Sequence, residues 1–169
     1  MEKIIEGIKS LSNPTSMVIA AVVILLLLLF CKWLLRVLKM SPKGVDYSLE
    51  QIDVMKGSQF EEFVAAVLEG NGYKIEEITI TSGDYGADII AIAGDERIAV
   101  QCKRYNRPVG VKAVQEVIAA MKHYNCESAI VVTNNTFTKQ AIILAQDNEV
   151  VELWDRQMLV GMRNQAVKK

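Results

Sequence analysis

Three polar residues stand at the ends of two neighbouring strands that are otherwise predicted to be apolar. Asp88 lies at the start of the apolar run 87–93, and Gln101 and Lys103 lie near the end of the next strand. Because side chains alternate across a strand, Gln101 and Lys103 share one face. A two-residue loop at 95–96 would place Asp88 directly opposite Lys103. Lysine and aspartate are rare in apolar surroundings unless they are paired or functional, so we predict a site here.

These residue types suit metal-assisted hydrolysis of a phosphodiester. Asp88 would bind a divalent cation through oxygen, as Mg²⁺ requires, and Gln101 would offer an amide oxygen to the metal or orient the attacking water. Lys103 would stabilise the negative charge of the nucleophile and of the phosphate. The alternative for Lys103 alone is a surface lysine at a strand end. Glycines in 82–86 allow a close backbone approach. Asp84 is predicted to form the turn, and the alternative is an acid that supports the metal ligands from behind.

The elements that position these residues follow from apolar spacing and turn residues. After the N-terminal segment the predicted order is α-β-β-β-α-β-α-β-α, preceded by a short helix at 48–55. An antiparallel hairpin comes first, and the later αβ units would add parallel strands. We therefore predict an α/β fold, a mixed central sheet flanked by helices. The main predicted helices are 58–69, 111–125, 138–147 and 155–163, and the predicted strands are 73–81, 87–93, 97–103, 128–133 and 150–154.

Two sequence segments around these residues resemble a known family. S-G-D-Y-G-A-D-I-I (82–90) and A-V-Q-C-K-R-Y (99–105) resemble the core of the Mrr-like branch of the PD-(D/E)XK nucleases. The likeness continues through P-V-G-V-K-A-V-Q-E (108–116), I-V-V-T-N (130–134) and V-E-L-W-D (151–155). The resemblance implies a restriction-endonuclease-like fold and a Mg²⁺- or Mn²⁺-dependent endodeoxyribonuclease. It also implies a role in defence against foreign or modified DNA.

The family's functional residues carry over one at a time. The metal-binding aspartate matches Asp88, the acidic or amide position matches Gln101, and the catalytic lysine matches Lys103. The helix-borne glutamate of the family's F-E pair matches Glu61, which would complete the metal ligands with Asp88 and Gln101. Glu61 has a structural alternative, because Ser58 and Glu61 have the spacing of a capping box.

The charge distribution limits how nucleic acid could be held. Residues 41–169 carry 14 basic and 18 acidic groups, a net of −4, so bulk charge would not hold DNA. Basic residues nevertheless follow the predicted site without an intervening acid, and we predict that Arg104, Arg107 and Lys112 contact DNA phosphates. The alternative is an ordinary solvated edge, and Arg97 belongs to the same basic stretch. Double-stranded DNA is the predicted partner. Because no separate sequence-reading module is visible, specificity would be low or would come from a homodimer or a partner subunit.

The cysteines do not suggest a disulfide framework or a zinc site. Cys31, Cys102 and Cys126 are odd in number and widely spaced, which favours a reducing compartment. Cys102 is expected to face the core, and a thiol enzyme is disfavoured. Gln115 would point toward the site or be an ordinary polar helix residue.

The N-terminal region contains a long apolar segment. From Met17 to Leu38, 20 of 22 residues are apolar, enough to span about 33 Å as a helix. We predict a single transmembrane helix at 16–39. A cleaved signal peptide fits poorly, because its charged region would include Glu2 and Glu6. Basic residues at the C-terminal flank predict a single-pass protein of the inner or plasma membrane whose large domain is cytoplasmic.

The predicted organisation has five segments. They are a short extracytoplasmic N-terminus (1–15), the transmembrane helix (16–39), a linker with a short helix (40–57), a nuclease domain (58–163) and a tail (164–169). One functional alternative is a non-catalytic or partner-activated nucleic-acid-binding or scaffold protein on the same fold. Another is that the anchor is the working part and localises a partner complex, with residual nuclease activity.

Overall fold

The computed structural model describes residues 14–39, 44–79 and 85–168 of the 169-residue chain. The chain divides into two compact units, Met1–Ser41 and Pro42–Lys169. Most of the predicted N-terminal segment, part of the predicted linker and the predicted turn residue Asp84 lie outside the described residues.

In the described part of the first unit, a long helix, α1, runs from Pro14 to Lys39 over 26 residues. Its large apolar side chains are exposed wherever the structure describes them, at residues between 18 and 30. Among the residues whose side chains are described, no helix is both long and apolar enough to cross a membrane. The predicted helix is confirmed, whereas the structure does not support its assignment as a transmembrane segment.

The second unit contains the remaining described helices and strands. The helices are α2 (Leu49–Val54), α3 (Gly57–Gly70), α4 (Val111–Tyr124), α5 (Lys139–Asp147) and α6 (Arg156–Val167). The strands are β1 (Lys74–Ile78), β2 (Ile89–Ala93), β3 (Glu96–Lys103), β4 (Ser128–Thr133) and β5 (Val151–Trp154). The strands form one sheet in the order β1-β2-β3-β4-β5. β1, β2 and β3 pair antiparallel, while β3, β4 and β5 pair parallel, so the predicted mixed sheet is confirmed.

Helices cover both faces of the sheet. On one face Phe60, Phe63 and Leu68 of α3 pack with Val100 of β3 and Trp154 of β5 in a buried apolar cluster. The apolar residues of α4 and α5 pack against the other face, in a second buried cluster. Buried apolar area on both faces holds the sheet between the two helical layers.

The start of α3 differs from the prediction. The helix begins at Gly57, and the side-chain oxygen of Gln59 accepts a hydrogen bond from the backbone N–H of Lys56 at 2.9 Å. The predicted capping box of Ser58 and Glu61 is therefore wrong, because the helix begins too early for Glu61 to occupy the capping position. At this helix end it is Gln59, and not Glu61, that bonds back to the backbone N–H of the capping residue Lys56.

The hairpin register also differs from the prediction. Ala93 pairs with Glu96, so the two loop residues are Gly94 and Asp95, not 95 and 96. Gly94 has a φ of 62°, which a glycine adopts without steric cost. The loop begins one residue earlier in the chain than predicted. Each residue of β2 therefore pairs with the β3 residue that lies two positions before its predicted partner. Ile89 pairs with Val100, and the Asp88 side chain just before it contacts Gln101 instead of Lys103.

We predict that Gly86→Ala destabilises the protein far more than Gly94→Ala. Gly86 has a φ of 96°, and a Cβ there would lie 2.4 Å from the carbonyl oxygen of Glu116. Gly94 also has a positive φ, but a Cβ there would meet no atom within 4 Å. We expect losses of about 3 kcal/mol and about 1 kcal/mol in the free energy of unfolding. Urea unfolding of both variants measures this, and equal losses would show that the contact with Glu116 is unimportant.

Candidate active site

Asp88 is a buried carboxylate at the edge of the sheet, with an exposed fraction of 6%. Its Oδ2 accepts a hydrogen bond from the backbone N–H of Cys102 at 2.6 Å and another from the side-chain amide of Gln101. A buried carboxylate is costly unless donors surround it, and these two bonds offset part of that cost. The structure therefore brings two of the predicted site residues, Asp88 and Gln101, into direct contact.

Lys103 follows two residues after Gln101 and so extends from the same face of β3. Its Nζ lies 3.2 Å from Oε2 of Glu116, which belongs to α4. Burial disfavours the charged form of Lys103, but the hydrogen bond to Glu116 and the charges of Glu116 and Asp88 raise its pKa above the ordinary value. Lys103 is therefore a cation at neutral pH, next to the Asp88 carboxylate.

Sequence reasoning missed Glu116. Its signal was weak: Glu116 is four residues after Lys112, a spacing that places both side chains on one helix face. The Nζ of Lys112 lies 3.6 Å from Oε1 of Glu116, so the two oxygens of this carboxylate face two different lysines. The neighbouring Gln115 is exposed.

Glu61 is half-buried on α3, and its charge reaches the same part of β3. Burial raises the pKa of the Cys102 thiol well above its ordinary value, and the charges of Asp88 and Glu61 raise it further. Asp88 and Glu61 thus both lie near Cys102. The thiol is buried, as predicted, and stays protonated at neutral pH, so it is not a nucleophile.

The donor set suits a hard divalent cation. Asp88 and Glu61 carry carboxylate oxygens and Gln101 carries an amide oxygen, which are the ligand types that Mg²⁺ accepts. In the part of the chain that the structure describes, no cluster of three or more His, Cys, Asp or Glu is placed to hold a metal ion. The predicted set contains only two such residues, because its third member is Gln101.

A polar network unforeseen from the sequence lies at the same edge of the sheet. Two nitrogens of Arg156 donate to the two carboxylate oxygens of Asp53 at 2.6 and 2.8 Å, and the amide of Asn134 donates to Asp53 at 3.0 Å. The side-chain oxygen of Asn134 accepts from the backbone N–H of Tyr105 at 2.9 Å. We call these four residues the Asp53 network. It joins α2, the segment after β3, the end of β4 and the start of α6.

The basic residues that were predicted to contact DNA do not form one surface: some are paired within the protein and others are exposed to solvent. Arg104 donates to the backbone carbonyl of Asp53 at 3.3 Å, which ties this side chain to the Asp53 network. Arg97 lies near the opposite end of β3 and forms an ion pair with Glu76 at 2.7 Å. Arg107 and Lys112 are exposed. These two residues therefore remain the best placed of the predicted set for contact with a ligand from solvent.

We predict that Asp53→Asn destabilises the protein by about 1 kcal/mol at pH 7, because the ion pair with Arg156 is about one-third exposed and screened by solvent. The hydrogen bond from Arg156 lowers the pKa of Asp53 against the opposing effect of burial, and Asn134 lowers it further. A carboxyl with a depressed folded-state pKa stabilises above its ordinary pKa, and this stabilisation is lost as pH falls through the folded-state value.

Urea unfolding at several pH values measures the difference between the two proteins. It should be constant above the ordinary pKa of an aspartate, about 3.9, and shrink toward zero as the pH falls through the lowered pKa of Asp53 in the folded protein. Asp147→Asn, at an exposed position, is the matched control and should show no such trend. A difference that persists unchanged at low pH would contradict the ionic role of Asp53.

The fold places the second unit in a known structural class. The chain is similar to the DNA modification-dependent restriction endonuclease AspBHI, with a TM-score of 0.56 and 22% identity over 75% of this chain and 38% of that one. It is also similar to the structure of a protein of unknown function, AF1548, with a TM-score of 0.50 and 21% identity over 62% of this chain and 65% of that one. The fold is the restriction-endonuclease-like fold.

The family follows from the sequence match. Residues 52–163 match the Mrr_cat family, described as restriction endonuclease. The chain therefore belongs to the Mrr_cat family of restriction endonucleases. It is 32% identical over 125 residues to the type IV methyl-directed restriction enzyme EcoKMrr of Escherichia coli (strain K12), a match that covers 69% of this chain. The matched region is 41% of that relative, so the chain spans less than half of its length.

Proposed function

We propose that this chain is a metal-dependent endodeoxyribonuclease of the Mrr restriction type, which hydrolyses phosphodiester bonds in double-stranded DNA. The observation that carries the proposal is the contact of buried Asp88 with Gln101, with Lys103 two residues further along the same strand. Membership of the restriction endonuclease family supports the same reading. An acid, an amide and a lysine at one sheet edge are the groups that phosphodiester hydrolysis requires.

The proposed roles follow from the chemistry of each side chain. Asp88, Glu61 and Gln101 would hold Mg²⁺ or Mn²⁺ through oxygen atoms. A bound divalent cation would supply positive charge to the phosphate and lower the pKa of a water molecule. Lys103 would place its ammonium beside the phosphate and stabilise the negative charge that develops during the reaction. Its side chain is 20% exposed, which leaves it accessible to substrate.

DNA would be held by local contacts, because the net charge of residues 41–169 is −4. Arg107 and Lys112 are exposed cations that can contact phosphates on either side of the site. Arg104 would support this surface through its bond to Asp53.

The substrate is proposed to be foreign or modified DNA. Two of the similar proteins are described as methyl-directed and as DNA modification-dependent restriction enzymes. We further propose that a homodimer or a partner specificity subunit takes part in the recognition of modified DNA.

The first test is cleavage of supercoiled plasmid, methylated and unmethylated, by the full chain with Mg²⁺, Mn²⁺ or EDTA. We expect metal-dependent nicking, and we expect Lys103→Ala to slow it by at least about 100-fold, because a preorganised cation beside the phosphate is lost. Lys122→Ala, an exposed lysine on α4, is the matched control and should cleave like the unsubstituted chain.

Intact plasmid in every lane, with folded protein and metal present, would contradict the proposed activity. That outcome would favour the alternative of a non-catalytic or partner-activated nucleic-acid-binding or scaffold protein. Binding of the same plasmid in EDTA would then show whether DNA is a ligand at all.

We also propose that residues 16–39 attach the protein to the inner or plasma membrane as a single-pass anchor, with the nuclease domain in the cytoplasm. The proposal rests on the sequence from Met17 to Leu38, in which 20 of 22 residues are apolar. Exposed side chains such as Leu26 and Leu27 require apolar surroundings. The basic residues that flank its C-terminal end supply the orientation.

We predict that the full chain sediments with membranes and is released by detergent but not by high salt. Leu26→Lys combined with Leu27→Lys should move it to the soluble fraction, because each lysine costs about 3 kcal/mol at the centre of a bilayer. Leu26→Ala combined with Leu27→Ala is the matched control and should stay in the membrane fraction. A full chain that is soluble, or that salt alone releases, would contradict the anchor.

A further inference from the structure

Glu116 is the acid in direct contact with the proposed catalytic lysine, and neither the sequence motif nor the family match assigns it a role. Its Oε2 lies 3.2 Å from Nζ of Lys103, and its Oε1 lies 3.6 Å from Nζ of Lys112. The Lys112 side chain is 85% exposed, whereas that of Lys103 is 20% exposed. The ion pair of Glu116 with Lys103 is therefore the more buried of the two. The ion pair with Lys112 is an ordinary surface pair between residues one helical turn apart.

Close backbone packing fixes the position of Glu116 relative to the segment that carries Asp88. Gly86 packs directly against the carbonyl group of Glu116, so closely that a Cβ at position 86 would overlap it. Gly86 is two residues before Asp88, and Lys103 is two residues after the residue that contacts Asp88. The segment that carries Asp88, the end of β3 and one turn of α4 are thus packed together, and Glu116 stands at their junction.

A carboxylate at this position works against binding of a polyanion. It repels DNA phosphates and partly neutralises Lys112, one of the two exposed cations proposed to contact DNA. Its favourable effect is on Lys103, whose four-carbon stem has many rotamers and whose ammonium would otherwise lack a fixed position. Glu116 therefore has two distinct effects. It disfavours DNA binding, and it favours one orientation of the Lys103 side chain.

We propose that Glu116 is a positioning residue whose carboxylate holds the Lys103 ammonium at the end of β3 for the DNA phosphate. This inference rests on the proposed nuclease function. Glu116 acts through Lys103 and does not contact the substrate. Its removal should slow the reaction without weakening DNA binding, whereas loss of a DNA-binding residue would weaken binding.

The test compares Glu116→Gln, Glu116→Asp and Glu76→Gln with the unsubstituted full chain in plasmid cleavage. We expect Glu116→Gln to lower kcat by about 10- to 100-fold, because a misplaced reacting group costs about that much, while KM is unchanged or lower. Glu116→Asp retains the charge and should recover part of kcat. Glu76→Gln breaks the Arg97 ion pair at the far end of β3 and is the matched control, with kcat unchanged.

Two further measurements do not depend on cleavage. The affinity for DNA in EDTA should be the same or higher for Glu116→Gln, because a negative charge is removed beside the DNA. The ¹H–¹⁵N signal of the Lys103 ammonium, assigned with Lys103→Ala, should be visible in the unsubstituted chain and in Glu76→Gln. It should be lost in Glu116→Gln, because the hydrogen-bonded ammonium becomes free to exchange with water.

The outcomes separate the inference from the proposed function. If the unsubstituted chain cleaves, Lys103→Ala does not, and Glu116→Gln cleaves at the unsubstituted rate, the nuclease stands and the role of Glu116 is overturned. A raised KM with unchanged kcat in Glu116→Gln would also overturn it. If the unsubstituted chain does not cleave although the Lys103 signal depends on Glu116, the proposed nuclease function fails, while the ordering of Lys103 by Glu116 stands. If the Lys103 signal is unchanged in Glu116→Gln, the positioning role is overturned whether or not the chain cleaves.

Discussion

The register of the hairpin between β2 and β3 is the constraint on which the candidate site depends. The two-residue loop at Gly94 and Asp95 pairs Ala93 with Glu96, and every later pair follows from that one. A slip by one residue would turn Gln101 and Lys103 to the other face of the sheet. The bonds from Gln101 and from the Cys102 backbone to Asp88 hold the same register at the far end of the hairpin.

Packing of helices on both faces of the sheet stabilises this register. The apolar side chains of α3 fill one face, and those of α4 and α5 fill the other, so the strands cannot shift without exposing buried area. The close contact of Gly86 with Glu116 adds a backbone constraint where the segment before β2 meets α4. The packing of α3, α4 and α5 on the sheet thus fixes the position of the site.

Polar residues gather at the edge where the parallel strands β3 and β4 end. Lys103 is the last residue of β3, and Asn134 directly follows β4. The Asp53 network closes this edge with α2 and α6 and orients the segment that carries Arg104. The acids Asp53 and Glu116 are each paired with a cation, which limits the repulsion that a net negative domain presents to DNA.

The sequence by itself determined the order of the elements, the mixed sheet and the shared edge of Asp88, Gln101 and Lys103. These follow from apolar spacing, turn residues and the two-residue period of a strand, which are local properties of the chain. Alternation predicts which face of the sheet a side chain occupies, but a shift of the register by two residues leaves every side chain on the same face. The sequence therefore could not distinguish Gln101 from Lys103 as the partner of Asp88.

Only the tertiary structure decided which residues complete the site. Glu116 reaches Lys103 because α4 packs on β3, and nothing in their spacing along the chain records that contact. Asp53 and Arg156 form their ion pair across 103 residues of sequence. Contacts between residues so far apart depend on how helices and sheet pack in three dimensions, and local sequence patterns carry no signal for them.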